Sequence, residues 1–323
     1  MRYSLISPTF GRPDEVVEFL ESLNRLNYPV EQMEVLLADG TPDDSLRPAL
    51  ASVLAQMKMP TTVLFEKGLP VSDARNRAAE AARGTYLLFF DSDCLIPENH
   101  LNALDAALAA QDWDAFGGPD AAAPTFSPLQ KAISYAMTSV YTTGGIRGGT
   151  QSTDRFYPRG FNMGFKASVF RALNGYDEGF RCGEDIELSM RAVEAGYRVG
   201  LIPEIPVLHK RRATLGQFHR QVTRFGAARI ALAQRHPGQL KATHAFPAVF
   251  TLSLPMAAVF AALGQWIPAA GLLGYLLLIA LDASRQGWKV GLLAPAAAVV
   301  MHTGYGKGFL RASWEALRTP DRA

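Results

Sequence analysis

Four short β-like runs, Tyr3 to Ser7, Val35 to Ala38, Thr62 to Phe65 and Tyr86 to Phe90, alternate with stretches of helical spacing, and this alternation restricts the fold more than any other feature. Behind Pro13, a residue suited to a first helical turn, Val16, Phe19, Leu20 and Leu23 recur at helical spacing. A βαβα order of this kind predicts an α/β fold with a largely parallel sheet and helices on both faces. In open sheets of that type, ligands sit outside the carboxyl ends of the strands. Polar residues stand at those ends: Pro8 and Thr9 after the first run, Asp39 after the second, Asp91 and Asp93 after the fourth.

Composition then sets bounds. At 323 residues and 48% apolar, the chain can bury a sizeable core, which excludes a disordered protein. The net charge of +2 averages two unlike parts, because Lys210, Arg211, Arg212, Arg220, Arg224, Arg229, Arg235 and Lys241 crowd one short stretch. Such a block lies beside phosphate, nucleic acid or anionic lipid. Two cysteines, Cys94 and Cys182, suggest neither a zinc site nor a disulfide framework, and they fit a reducing compartment. Met1 leads straight into a short apolar run, so no cleavable signal is expected and the first domain is placed in the cytoplasm.

Between about residues 112 and 160 the periodicity fades, and Gly144, Gly145, Gly148 and Gly149 around Arg147 read as a mobile loop. A helix is predicted to open at Glu184 and Asp185, to carry a Glu187–Arg191 pair and to close at Gly196. Ala245 to Leu281 holds no charged side chain over 37 residues and is interrupted by Gly264, Gln265, Trp266 and Pro268. About 20 apolar residues span a bilayer, so a membrane hairpin turning at Gly264 to Pro268 is expected, both of its ends cytoplasmic by the flanking basic residues. A buried helical pair or a dimer interface is the competing reading. The next apolar run, Val290 to Val300, fits a re-entrant or interfacial segment as well as a third pass. The expected boundaries are thus 1–240 for the α/β domain, including a basic amphipathic segment at 205–240, and 241–323 for membrane-anchoring helices.

The sharpest local feature is Leu87-Leu88-Phe89-Phe90-Asp91-Ser92-Asp93, an apolar strand delivering two carboxylates one residue apart. Hard oxygen ligands of this kind suit Mg²⁺ or Mn²⁺ bridging a diphosphate. A lone D-x-D also fits a turn or a helix cap, Asp39-Gly40 also fits a turn, and Arg75 also fits a solvated helix position.

Taken in order, Pro8-Thr9, Asp39, Ala74-Arg75-Asn76, Asp91-Ser92-Asp93 and Glu184-Asp185 resemble the family 2 glycosyltransferases of GT-A fold, over about residues 3 to 225. The resemblance implies that Pro8, Thr9 and Asp39 border the nucleotide base and ribose, and that Arg75 lies near the base or phosphates. It implies that Asp91, Ser92 and Asp93 form the donor-diphosphate motif, with Asp91 and Asp93 holding the metal. Asp185 is then the catalytic base, a role direct displacement by a sugar hydroxyl requires, and Glu184 helps position the acceptor. A helix cap also fits either acid. His209 is suggested as a third metal ligand, with a structural histidine as the alternative.

Gln221-Val222-Thr223-Arg224-Phe225 resembles the Q-x-x-R-W element of membrane-associated members, where Gln and Arg lie close to the diphosphate; here Phe225 replaces Trp. A basic helix resting on anionic lipid also fits Arg220, Arg224 and Arg229. Tyr305-Gly306-Lys307-Gly308-Phe309 is similar to the ending of bacterial exopolysaccharide glycosyltransferases resembling the succinoglycan enzymes. The resemblance implies an inverting transferase that uses a nucleotide sugar, a UDP-sugar by preference, with Mg²⁺ or Mn²⁺. Its acceptor is a polyprenyl-linked or cell-surface glycan, its place the bacterial inner membrane with the catalytic domain facing the cytoplasm, and its partners include membrane lipid but no nucleic acid polymer. Two other readings compete. A nucleotidyltransferase of related architecture wants a Gly-rich basic loop after the first strand, which Ser7-Pro8-Thr9-Phe10-Gly11-Arg12-Pro13 does not supply, and a non-catalytic membrane scaffold does not need Asp91, Asp93 and Asp185.

Overall fold

The structure is a computed structural model that describes residues 1–121, 125–143 and 156–318. The predicted glycine-rich loop at Gly144 to Gly149 lies outside the described residues. In chain order the elements are β1 (Tyr3–Thr9), α1 (Pro13–Asn24), β2 (Met33–Asp39), α2 (Leu46–Leu54), β3 (Thr61–Phe65), α3 (Val71–Ala81), β4 (Tyr86–Phe90), β5 (Cys94–Leu95), α4 (His100–Ala110), β6 (Ala115–Gly117) and β7 (Asp120–Ala121). There follow α5 (Pro128–Thr138), α6 (Val140–Thr143), β8 (Asn162–Lys166), α7 (Ala167–Ala172), α8 (Glu184–Glu194), β9 (Val199–Leu201) and β10 (Val207–His209). Four long helices close the chain: α9 (Leu215–Arg235), α10 (Ala242–Ala262), α11 (Ile267–Ala283) and α12 (Trp288–Arg318).

These elements form two compact units, Met1–Ala123 with Thr150–His209, and Pro124–Gly149 with Lys210–Ala323. The first is built on a seven-stranded sheet of order β3-β2-β1-β4-β8-β6-β9. β3, β2, β1 and β4 are mutually parallel, β8 runs antiparallel to both β4 and β6, and β9 is parallel to β6. All four predicted strands are present. Each face of the sheet is covered, which is why the strands read as unbroken apolar runs. Leu88 and Phe90 of β4 face a core with α1, α2 and α4, whereas Leu87 and Phe89 face a second core with Ala74 and Ala78 of α3, Phe170 of α7 and Leu188 of α8. Small residues on α3 let that helix lie close on the sheet.

In the second unit, Ile133 and Ala136 of α5, Phe218 and Val222 of α9, Ile279 of α11 and Ala294, Ala298 and Met301 of α12 share one core. The Tyr135 hydroxyl donates to Asp282 at 2.8 Å, tying α5 to α11. α10 and α11 form the predicted antiparallel pair, broken at Gly264 with φ +81° and restarted by Pro268 in the first turn of α11. α10, and α11 carried on through the turn to Gln286, are long and apolar enough to cross a membrane. Only 17% and 11% of their most apolar windows are buried, so the alternative of a buried core pair does not fit. Val259, Leu263, Ile267, Leu273 and Leu281 all point outward.

The short apolar run Val290 to Val300 is one part of the 31-residue helix α12, which also takes in the Tyr305 to Phe309 glycine motif. Those glycines are sites of backbone contact. A Cβ on Gly308 would lie 1.9 Å from the Thr223 carbonyl oxygen of α9, and one on Gly306 would lie 2.4 Å from that of Pro247 in α10.

Candidate active site

Parallel registration puts the ends of β1, β2 and β4 on one edge of the sheet, since Thr9 pairs with Asp39 across β1 and β2. The antiparallel β8 starts at that edge too, with Asn162 opposite Phe90, which brings Gly160 and Phe161 alongside the D-x-D. At β1 and β2, the buried Asp39 carboxylate accepts from Thr9 Oγ1 at 3.0 Å and from the Thr41 backbone N–H at 3.0 Å. Pro8 precedes this pair, half-buried at the strand end.

Arg75 is the centre of the site. It sits in the middle of α3, only 2% exposed, where its Nη1 donates to Glu184 Oε1 at 2.6 Å and its Nη2 to Asp91 Oδ1 at 2.7 Å. Its guanidinium carbon lies 5.3 Å from the centroid of the Tyr176 ring, a cation–π contact. One buried cation thereby joins the D-x-D to the E-D pair across 93 positions of sequence, counted from Asp91 to Glu184. Burial pushes the Glu184 carboxyl above its ordinary value, against the opposing pull of Arg75. Burial works against the guanidinium charge, but Tyr176 and the carboxylates of Asp91, Glu184 and Asp185 around it outweigh that and keep it charged.

Glu184 and Asp185 open α8 after Gly183, whose φ of +83° turns the chain into the helix. Asp185 Oδ2 accepts the Gly160 N–H at 2.9 Å and Oδ1 accepts the Ile186 N–H at 2.8 Å, so both oxygens are oriented. Gly160 is bare of side chain for a reason: a Cβ there would stand 2.5 Å from Arg75 Nη2. The Glu187–Arg191 pair forms as predicted, and Arg191 also donates to the carbonyls of Leu173 and Gly175, bracing the loop before α8. Asn76 completes the brace. Its amide nitrogen donates to the Tyr176 carbonyl at 2.9 Å and its oxygen accepts the Tyr176 N–H at 2.8 Å.

The second carboxylate of the D-x-D goes elsewhere. Asp93 is buried, and its Oδ1 lies 3.1 Å from His209 Nε2. The small sheet β5-β10-β7 causes this, because antiparallel pairing sets His209 opposite Cys94. Ligand atoms of Asp93, Cys94 and His209 all lie within 4.8 Å of one another. Burial drives the Cys94 thiol well above its ordinary value, and the S–H is directed at the Phe161 carbonyl, so the available donors are carboxylate oxygen and imidazole nitrogen. That set fits Mn²⁺ or Mg²⁺ better than a thiophilic ion.

Thr9, Asp39, Arg75, Asp91, Ser92, Asp93, Glu184, Asp185 and His209 therefore belong to one unit. Gln221 and Arg224 lie on α9 of the other unit, Gln221 half-buried and Arg224 exposed, while Phe218 and Val222 face that unit's core. Three residues at the site were not singled out from the sequence: Gly160, Arg12, whose Nη1 is 3.4 Å from Asp93 Oδ2, and Asp120, whose Oδ2 is 3.7 Å from His209 Nδ1. The run Gly118-Pro119-Asp120, a turn signal next to a short strand, was the available hint of Asp120.

Known proteins resemble this chain in sequence and in fold. The succinoglycan biosynthesis protein ExoA of Rhizobium meliloti (strain 1021) is 29% identical over 320 residues, covering 95% of this chain and 93% of that protein. Among solved structures, the mannosyltransferase PcManGT from Pyrobaculum calidifontis, in complex with GDP-Man and Mn²⁺, superposes with a TM-score of 0.67 at 20% identity, covering 97% of this chain and 87% of that one. Residues 1–349 of S. aureus TarS give a TM-score of 0.51 at 15% identity, covering 99% and 92%. These likenesses establish the GT-A arrangement of a mostly parallel sheet between helices. The model of the family described as glycosyl transferase family 2 matches residues 4–173, more than half of the 323, and the chain belongs to that family.

Proposed function

We propose that this glycosyltransferase is metal-dependent and inverting, and that it moves a sugar from a nucleotide donor, a UDP-sugar by preference, to a polyprenyl-linked or cell-surface glycan at the bacterial inner membrane. The observation that carries the reading is Arg75, which gathers Asp91 and Glu184 onto one buried guanidinium with Asp185 held beside it through Gly160. Asp91 follows a strand while Glu184 and Asp185 open a helix, so a single arginine brings the donor motif and the proposed base together, as a transferase requires.

In this reading Asp93 and His209, with Asp91 nearby, would hold a divalent ion, which would supply positive charge to offset that developing on the departing nucleoside diphosphate. PcManGT, which carries GDP-Man and Mn²⁺, supports a divalent ion and a nucleotide-sugar donor for this chain. Pro8, Thr9 and Asp39 receive the base and ribose, and Ser92 assists at the diphosphate. Asp185 takes the proton of the acceptor hydroxyl as that oxygen bonds to the anomeric carbon; the bond from this carbon to the phosphate oxygen breaks, and its electron pair leaves with the diphosphate. Attack from the face opposite the leaving group inverts the anomeric centre. Arg75 and Glu184 act as positioning residues, fixing where α8 presents Asp185.

We assign residues 1–240 to the transferase domain and 241–323 to the anchor, with the catalytic face in the cytoplasm. Outward apolar side chains on α10 and α11 support lipid around them, and an acceptor carried on a polyprenyl chain would meet the enzyme there. Likeness to a succinoglycan biosynthesis protein over 95% of the chain supports a surface polysaccharide as product. The test is a screen of UDP- and GDP-sugars with Mn²⁺ or Mg²⁺, reading nucleoside diphosphate release by the wild type and by Asp93→Ala and Asp185→Ala. Release that depends on the cation and is lost in both variants is expected; undiminished release in both would remove the mechanism.

A further inference from the structure

The loop between β1 and α1 carries a cation to which neither the strand-end pattern nor the D-x-D assigns a role. Gly11 and Arg12 are both left-handed, at φ +66° and +54°, and for an arginine that conformation is uncommon and costly. The chain is held there from both sides. Gly11 N–H donates to Thr41 Oγ1 at 2.7 Å, Thr41 is bound to Asp39, and Pro13 begins α1 immediately afterwards. From this fixed root the Arg12 side chain, half-exposed, reaches Asp93 Oδ2 at 3.4 Å and Glu15 Oε2 at 3.1 Å.

We propose that Arg12 is a movable countercharge of the metal site, paired with Asp93 in the cation-free enzyme and transferred to the donor diphosphate when cation and donor are bound. The inference rests on the metal reading above and deepens it. A divalent ion on Asp93 repels the guanidinium held by the same carboxylate. At 3.4 Å and half-exposed, the Arg12–Asp93 pair costs little to break, which leaves Arg12 available to a second anion. The anion that accompanies the cation is a diphosphate, and its oxygens match the guanidinium fork. A long, solvent-reaching side chain on an immobilised backbone can make that move without rebuilding the loop, so the left-handed pair becomes a pivot.

The proposal predicts effects of opposite sign. With the full-length protein, binding of Mn²⁺ alone is followed by the electron paramagnetic resonance of free Mn²⁺, and binding of UDP and GDP at saturating Mn²⁺ by calorimetry. Arg12→Met should bind Mn²⁺ alone about two- to fivefold more tightly, because an exposed competing ion pair is gone. The same variant should bind the nucleoside diphosphate about tenfold more weakly, having lost a charge-assisted contact. Arg12→Lys keeps the charge without the fork, so its Mn²⁺ affinity should match the wild type while its nucleotide affinity falls in between. Unchanged or weaker Mn²⁺ binding in Arg12→Met overturns the proposal, as does unchanged nucleotide binding, or an equal loss of both affinities in both variants. If wild-type protein fails to bind Mn²⁺ with or without nucleotide, the metal reading itself falls, a result distinct from failure of the Arg12 role alone.

Discussion

Replacing Arg75 with methionine removes the cation and its contact with the Tyr176 ring but keeps most of the aliphatic stem, and its cost follows from the burial of its partners. Breaking a buried ion pair by deleting one member typically costs about 3–5 kcal/mol, because a charge is left uncompensated. Here the Glu184 side chain is 10% exposed, but Asp91 is 36% exposed and screened, which argues for the lower end, about 3 kcal/mol. For a unit of this size that corresponds to a melting-temperature drop of about 6–12 °C near neutral pH. The drop should depend on pH in one direction. Burial raises the Glu184 carboxyl, so the folded protein holds a proton there that the unfolded chain releases; the stability this contributes is complete below the ordinary carboxylate range and fades as pH rises. Without Arg75 the carboxyl moves further up, and the deficit of the variant grows from acid to neutral pH. Scanning calorimetry of wild type and Arg75→Met, near pH 5 and at neutral pH, reads this directly. A drop under about 2 °C, or one equal at both pH values, would refute the claim that a buried guanidinium organises the acids.

Further outcomes follow from packing and topology. Gly308→Ala and Gly226→Ala insert a methyl group 1.9 Å from the Thr223 carbonyl and 2.1 Å from the Tyr305 carbonyl, so each should destabilise the α9–α12 contact by about 1–3 kcal/mol or more, measured by melting in detergent. Gly271→Ala, with nothing within 4 Å of its Cβ, should cost nothing and serves as the control. For the hairpin, cysteines introduced at Gln265 and Gln286 should react with an impermeant thiol reagent from opposite sides of the membrane; reaction of both from one side contradicts a double crossing.

Where the sequence was readable, the physics was local. Strands buried on both faces leave continuous apolar runs, and parallel order sends their polar ends to one edge, so Thr9, Asp39 and Asp91 could be grouped without coordinates. α8 was equally plain, from two acids in its first turn to Gly196, at φ +82°, after its end. α5 was missed because it lies within the low-periodicity region and packs in the other unit through two alanines, Ile133, Tyr135 and Met137, although its Ser127–Gln130 capping box was visible in the chain. The glycine motif at Gly304, Gly306 and Gly308 reads as a turn by propensity alone. Tertiary packing overrides that weak preference, since only a glycine surface lets α12 approach the backbones of α9 and α10. Arg12 and Gly160 were hidden for another reason. Their partners, Asp93 and Arg75, lie 81 and 85 positions away, and no spacing rule reports contacts of that range.

The two ends of the acid cluster have separate roles in the proposed reaction, and nucleotide binding measured beside turnover tests them most directly. In calorimetry with Mn²⁺ and nucleoside diphosphate, Asp93→Ala should lose the cation-dependent part of the affinity. Asp185→Ala should bind the nucleotide like the wild type while transferring no sugar. Mn²⁺-dependent binding retained by Asp93→Ala, or continued turnover by Asp185→Ala, would contradict this division of roles.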